Sequence, residues 1–284
     1  MANLAMQKKE WSSSSSFRWE ELNPEILALI LVRIPIEERV GHASLVCKNW
    51  LACVSGSYCW CDMDIQDWCQ KRNRSVEDVD RVARKLMKRS RGSSVLLSAY
   101  NLGNPGFIYA ANSCGKNLKV LKMPISEVTD KMVERHVGSL VNLSVLDISY
   151  CLKITSKGIA EFGNNCKGLV ELIRNMPSPL EVKSFGETDF EADDCEAIAI
   201  ANTMSGLRKL EMCYGLFGDL GLDAILANCK ALSHLNIDGC WKVNLGDDLV
   251  VKCLKLEYFV DPFIDEDIAD YDDDEDDDEC SDSY

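Results

Sequence analysis

Histidine is nearly missing from this chain: His42, His136 and His234 are the only three in 284 residues. So little imidazole leaves few means to build a histidine-ligated metal site or to activate a serine or cysteine nucleophile. H-E-x-x-H is absent, as are the G-x-x-x-x-G-K-[S/T] loop and a G-x-G-x-x-G turn after a strand. No apolar run reaches the roughly 20 residues needed to cross a bilayer. No segment joins a basic start, a continuous apolar stretch and a small-residue cleavage site. Catalysis, a cofactor, a membrane and a secretory route are therefore not expected, and the expected location is the nucleus and/or the cytoplasm.

Cysteine, by contrast, is plentiful, with 14 residues spread over the chain. They contain no C-x-x-C pair, and the close set of Cys59, Cys61 and Cys69 has no second pair at structural-zinc spacing. Reduced thiols without a metal are expected.

The net charge of −15 is unevenly placed. Residues 261–284 hold 14 acidic and no basic side chains, which leaves −1 for everything before them. This run repels itself and has little to bury, so 261–284 reads as an acidic disordered tail. Residues 1–18, with the serine run Ser12 to Ser16, read as a flexible lead-in.

The stretch "ELNPEILALILVRIP" at 21–35 predicts a short helix capped by Asn23, started by Pro24 and stopped by Pro35. Its apolar residues cover most of the circumference, more than one core requires. Two further short helices follow, with breaks expected at Gly41 and at Ser55-Gly56. Three such helices make a thin core, so the apolar excess points to a partner protein. Leu22, Pro24, Glu25, Ile26, Ile30, Leu31, Ile34, Pro35, Val40, Val46, Cys47, Lys48 and Trp50, closed by Trp60, resemble the F-box pattern. A departure is Arg39-Val40, where that family often has aspartate-leucine. The resemblance implies docking, through Leu22, Pro24, Glu25, Ile26, Ile30, Leu31, Ile34, Pro35, Val40, Val46, Cys47 and Trp50, on a Skp-type linker that brings a cullin.

"SVEDVDRVARKLMKRSR" predicts an amphipathic helix with Ser75 at its cap and a basic outer face of Arg81, Arg84, Lys85, Lys88 and Arg89. No aromatic residues interleave with these charges, so nucleic acid is not expected. Beyond it the chain repeats. Leu118, Leu143, Leu169, Leu207, Leu232 and Leu256 recur at steps of 25, 26, 38, 25 and 24, and Leu97 marks an earlier copy 24 residues before Leu121. Four of these five steps fall in the leucine-rich-repeat range; the third carries an insertion, "NMPSPLEVKSFGETDFEADD", which reads as a second recognition element. Apolar residues alternate along each strand and recur at helical spacing between strands, as in "ITSKGIAEFGNNC". The repeated cysteines, such as Cys151, Cys166, Cys229 and Cys240, read as small core residues.

The expected fold is α/β: an N-terminal three-helix F-box at 19–61, a helical linker at 62–91, and a short leucine-rich-repeat solenoid of strand-turn-helix units at 92–260 with a core of its own. The whole resembles F-box/leucine-rich-repeat proteins of the plant Skp-interacting type. That resemblance implies a non-catalytic substrate-recognition adaptor of a Skp, cullin and F-box ubiquitin ligase, binding an unknown protein for ubiquitination and degradation. Strand alternation makes Lys122, Asp147, Ser149, Lys209, Glu211, His234, Asn236 and Asp238 candidate substrate contacts. The alternative is a leucine-rich-repeat scaffold that binds proteins outside a ubiquitin ligase.

Overall fold

The computed structural model describes residues 19–71, 73–178 and 191–263. The serine-rich start, the middle of the insertion and the acidic run from 264 onward lie outside the described residues, together with the expectations that fall on them.

Helix α1 (Pro24–Leu31) starts as its sequence dictates, the Glu25 N–H donating to Asn23 Oδ1 at 2.8 Å. Leu27 and Leu31, one turn apart, are buried. The sequence points to a break at Gly41, but the structure puts it at Cys47. Helix α2 (Ile36–Glu38) runs through a π-helical stretch, Arg39–Ala43, into α3 (Ser44–Val46); extended backbone at Cys47 then separates α4 (Lys48–Ser55). The wider π turn re-aims its side chains, and Arg39 turns inward. Its guanidinium donates to the carbonyls of Val32 (2.9 Å), Ile34 (3.0 Å) and Cys59. Arg39 is thus an internal brace for the free carbonyl end of α1.

A 3-10 turn, Ser57–Trp60, leads straight into β1 (Asp62–Asp64). The sheet therefore begins inside the segment that reads as a helical linker, which also holds α5 (Gln66–Lys71) and α6 (Val76–Ser90). The remaining strands are β2 (Leu96–Ser98), β3 (Val120–Lys122), β4 (Val145–Asp147), β5 (Glu171–Ile173), β6 (Lys209–Glu211), β7 (His234–Asn236) and β8 (Tyr258–Val260). All eight described strands are parallel and lie in chain order, as in a solenoid where each repeat packs on the one before it. The crossovers carry α7 (Asn104–Cys114), α8 (Asp130–His136), α9 (Ser156–Asn165), α10 (Cys195–Thr203), α11 (Asp219–Asn228) and α12 (Asp247–Cys253).

Leu97, Leu121, Leu146, Leu172, Leu210, Leu235 and Phe259 are paired strand to strand. Their steps, including the 38, are those of the sequence repeat. The six leucines are fully buried, each contributing about 1.5–3 kcal/mol by removal from water. An Asx ladder joins successive repeats. Asp80 Oδ1 accepts the Gly103 N–H (2.9 Å), Asn104 Oδ1 that of Thr129 (3.2 Å), and Asp130 Oδ1 those of Thr155 (2.9 Å) and Gly158 (3.1 Å). Asp194 Oδ1 accepts from Gly218 (2.8 Å) and Gly221 (3.0 Å), and Asp219 Oδ1 from Asn244 (2.8 Å). Each residue thus satisfies orphan N–H groups at or just before the next helix.

The repeat cysteines Cys151, Cys166, Cys229 and Cys240 are buried, and they also tie repeats together. Cys151 Sγ donates to the Met123 carbonyl (3.1 Å), Cys166 to Leu140 (3.3 Å), Cys229 to Met204 (3.6 Å) and Cys240 to Met212 (3.0 Å). Burial pushes the thiols of Cys151, Cys166 and Cys240 up to about 12, so they remain protonated donors.

The expectation of a separate repeat core is corrected. One apolar cluster runs from Leu27 through Trp60, Met63 and Val79 to Cys253. Trp60, wholly buried, donates from Nε1 to the Val54 carbonyl (2.8 Å), and the guanidiniums of Arg39 and Arg89 lie over its ring at 5.5 and 4.9 Å. Arg89 of α6 therefore belongs to the joint between the two halves, whereas Arg81, Arg84, Lys85 and Lys88 face solvent.

Candidate protein-docking surfaces

Among the described residues, twenty large apolar side chains are exposed, and they gather at the two ends. Eight fall in residues 19–58, six in 241–263, and only six in the long stretch between. A soluble fold leaves scattered apolar residues outside, but clusters mark contact surfaces.

At the N-terminal end, α1 shows Ile26 and Leu29, α3 shows Val46 and Leu45 (79% exposed), and α4 shows Leu51. The layout follows from the local fold: α1 spends Leu27 and Leu31 on the core, so Ile26 and Leu29 face outward. Of the residues singled out in the sequence, Pro24, Glu25, Ile26, Pro35, Val40 and Val46 are exposed. Leu22, Ile30, Ile34, Cys47 and Trp50 are half-buried, and Leu31 is in the core, where it supports the face without forming part of it. Trp19, Leu29, Leu45 and Leu51 belong to the exposed set and were not singled out by the motif. Leu45 and Leu51 were legible only as apolar positions at helical spacing, a pattern that cannot tell core from surface.

The second surface is the sheet face made by the outward strand positions. One registered row runs Leu96, Val120, Val145, Glu171, Lys209, His234, Tyr258; the next runs Ser98, Lys122, Asp147, Ile173, Glu211, Asn236, Val260. Alternation therefore brings Lys122, Asp147, Lys209, Glu211, His234 and Asn236 onto one face, and adds Glu171 and Tyr258 to them. Lys209 Nζ sits between Glu211 (2.8 Å) and Glu171 (3.2 Å), and its hydrogen bond to Glu211 raises its pKa. The His234 ring stacks on Tyr258 at 5.9 Å. A shallow cavity of about 270 Å³ over β6, β7 and β8 is lined by Lys209, Glu211, His234, Asn236 and Tyr258. Ser149 is instead buried, its N–H donating to Asp147 Oδ1 (2.9 Å), and the Asp238 N–H donates to Asn236 Oδ1 (3.0 Å). These four residues help to shape the turns after their strands.

Among the described residues no group of three or more histidine, cysteine or acidic side chains is placed to hold a metal ion, and no helix is long and apolar enough to cross a membrane.

The F-box domain matches residues 19–62. F-box protein FBW2 of Arabidopsis thaliana is 39% identical over 230 residues, covering 81% of this chain and 70% of that one. F-box protein SKIP1 of the same plant is 30% identical over 244 residues, covering 81% of each, and F-box protein SKIP19 is 28% identical over 262 residues, 90% of this chain and 80% of that one. With the helical domain in front, a parallel sheet built on repeat leucines behind it, and relatives matching along most of its length, the chain belongs to the F-box/leucine-rich-repeat protein family.

Proposed function

We propose that this protein is the substrate-recognition adaptor of a ubiquitin ligase of the Skp, cullin and F-box type. The apolar face around α1, α3 and α4 docks a Skp-type linker, the linker brings the cullin, and the sheet face holds a protein substrate for ubiquitination and degradation. F-box family proteins are typically non-catalytic adaptors, and the nucleus and/or cytoplasm is where this one would act. In domain terms, 19–61 holds the linker and the solenoid holds the substrate.

The observation that carries the reading is the exposure of Ile26, Leu29, Leu45, Val46 and Leu51 on α1, α3 and α4, five of the eight large apolar side chains exposed in residues 19–58. Leaving so much apolar surface in water is unfavourable at about 25 cal/mol per Å², and a protein partner removes it. The mechanism is proximity. Binding a substrate at a fixed distance from a transferase raises its effective concentration, which demands a stiff spacer and no catalytic group. The Arg39, Trp60 and Arg89 stack at the joint and the continuous core behind it supply that stiffness.

Leu45→Asp with Leu51→Asp tests the reading. Both side chains are exposed, so circular dichroism and melting should stay as in the wild type. A charge buried without a partner in an interface costs several kcal/mol, so calorimetric affinity for a Skp-type protein should fall at least about 100-fold. Ile30→Asp is less suitable, since Ile30 is half-buried and its loss mixes folding with docking. A folded Leu45→Asp, Leu51→Asp variant that captures the linker with unchanged affinity removes the adaptor reading and favours a scaffold outside a ligase.

A further inference from the structure

The described sheet ends in two edge strands, and they are unlike. β1 reads Asp62-Met63-Asp64 with both aspartates exposed, a charged edge that discourages further pairing. β8 reads Tyr258-Phe259-Val260, three strong strand formers, with Tyr258 exposed. Tyr258 N–H donates to the Ser233 carbonyl and the Val260 carbonyl accepts from Ile237 N–H, both at 3.1 Å, so these two residues spend their backbone groups on the β7 side. Successive residues of a ladder turn N–H and C=O to opposite sides. Phe259 therefore points its N–H and C=O away from β7, toward the open edge. In the same last repeat Val251, Leu254 and Phe263 are exposed.

The charge around this edge is acidic. Glu257 precedes the strand and Asp261 follows it, both exposed, as are Asp247 and Asp248. Among the described residues Lys252 is engaged by Asp223, Lys255 precedes the strand, and Glu257 lies 4.0 Å from His234 Nδ1. The chain then continues with 13 further acidic residues and no basic one.

We propose that the edge of β8 receives an extended, basic segment of a partner protein as an added strand. Backbone pairing with Phe259 supplies the geometry, the exposed apolar side chains supply contact, and Lys or Arg flanking the strand faces Glu257 and Asp261. A second copy of this chain is disfavoured, because antiparallel pairing centred on Phe259 sets Glu257 against Asp261 of the other copy and joins two acidic runs. The chain's own residues from 264 onward carry the same sign as the edge. The inference does not depend on the ubiquitin-ligase reading, since any partner of this chemistry fits.

The test uses the full chain and synthetic peptides. The probe is a nine-residue strand alternating valine and threonine between Lys-Arg pairs. Its comparisons are the same strand between Asp-Glu pairs and two basic strands N-methylated on alternate residues, one set for each strand edge. At low salt, about 50 mM, the basic peptide should bind at least about tenfold tighter than the acidic one. One of the two N-methylated peptides should lose binding and the other keep it. By hydrogen exchange the Phe259 amide should be open in the free chain and protected in the complex. Glu257→Lys with Asp261→Lys should reduce or reverse the charge preference. Equal binding of acidic and basic peptides, or indifference to both N-methylation patterns, overturns the proposal. So does a Phe259 amide already protected in the free chain: at every concentration it would mean that the chain covers its own edge, and with rising concentration that a second copy does.

Discussion

Arg174 occupies a position that its neighbours in the solenoid fill with Met123, Ile148, Met212 and Ile237, and it is as buried as they are. All five of its N–H groups are used. Nε and Nη2 hold Glu196 at 3.0 and 2.8 Å, Nη1 donates to the Ile148 and Cys151 carbonyls at 3.2 Å each, and Nη2 also reaches Ile154 at 2.9 Å. Arg174 and Glu196 stand on either side of the insertion, so the pair closes it and lets the sheet continue. Arg174→Met, which copies the neighbouring repeats, should lower stability by about 3–5 kcal/mol in urea titration, because it leaves Glu196 and three carbonyls without their donor. Adding Glu196→Gln should recover part of the loss; a neutral single variant would show that the clasp is dispensable. The cysteines make a second case. Their ordinary thiol value of 9.0 is raised to about 12 at Cys151, Cys166 and Cys240. A raised folded value means that their stability contribution is whole below pH 9 and is lost as pH climbs through 9 toward 12. Thermal melting should show an alkaline decline in that window. At neutral pH iodoacetamide should leave these three untouched while labelling exposed Cys195, as mass spectrometry of the native protein can show.

Helices α7, α8, α9, α11 and α12 are each held by a residue of the repeat before them, and at α7, α9 and α11 a glycine lets the holder reach. A Cβ on Gly158 would overlap Asp130 Oδ1, and one on Gly221 would stand 2.7 Å from Asp194 Oδ1. Helix propensity alone favours alanine over glycine by about 1 kcal/mol. Gly221→Ala should nevertheless destabilise, by about 1–3 kcal/mol, because the carboxylate must leave the N–H groups it satisfies. Gly246→Ala, with nothing within 4 Å, should stay within about 0.5 kcal/mol of wild type. Equal melting temperatures for the two variants would remove the ladder from the account. The recurrence of Asp80, Asn104, Asp130, Asp194 and Asp219 at repeat spacing was visible in the sequence, yet Asp and Asn open so many helices and turns that spacing alone does not separate a link between repeats from an ordinary cap.

The described residues share one apolar core, in which the helical domain is the first layer of the solenoid. Trp60 is the joint: its ring is covered by Arg89 from α6, and Met63 of β1 pairs with Leu97 of β2. A fragment ending at residue 61 loses Arg89, Met63 and Val79 from its core, so a piece spanning 19–61 should show weak helical circular dichroism and no cooperative melt. The full chain should melt in a single transition that includes the F-box. A fragment that melts sharply by itself would separate the two halves again.

The sequence by itself determined the capped opening helix, the F-box pattern, the repeat length and the register leucines, because each depends on residues close in the chain or on a period. The tertiary structure decided which apolar residues of the helical domain face outward, that Arg39 and Arg174 are interior braces, and that the sheet starts at Asp62. The step from Met63 to Leu97 is 34 residues, outside the repeat range, so periodicity does not reveal that first strand. Burial depends on what packs against a side chain, and Cys59, Arg89 and Glu196, which engage Arg39, Trp60 and Arg174, stand far along the chain from them, where no local pattern reaches.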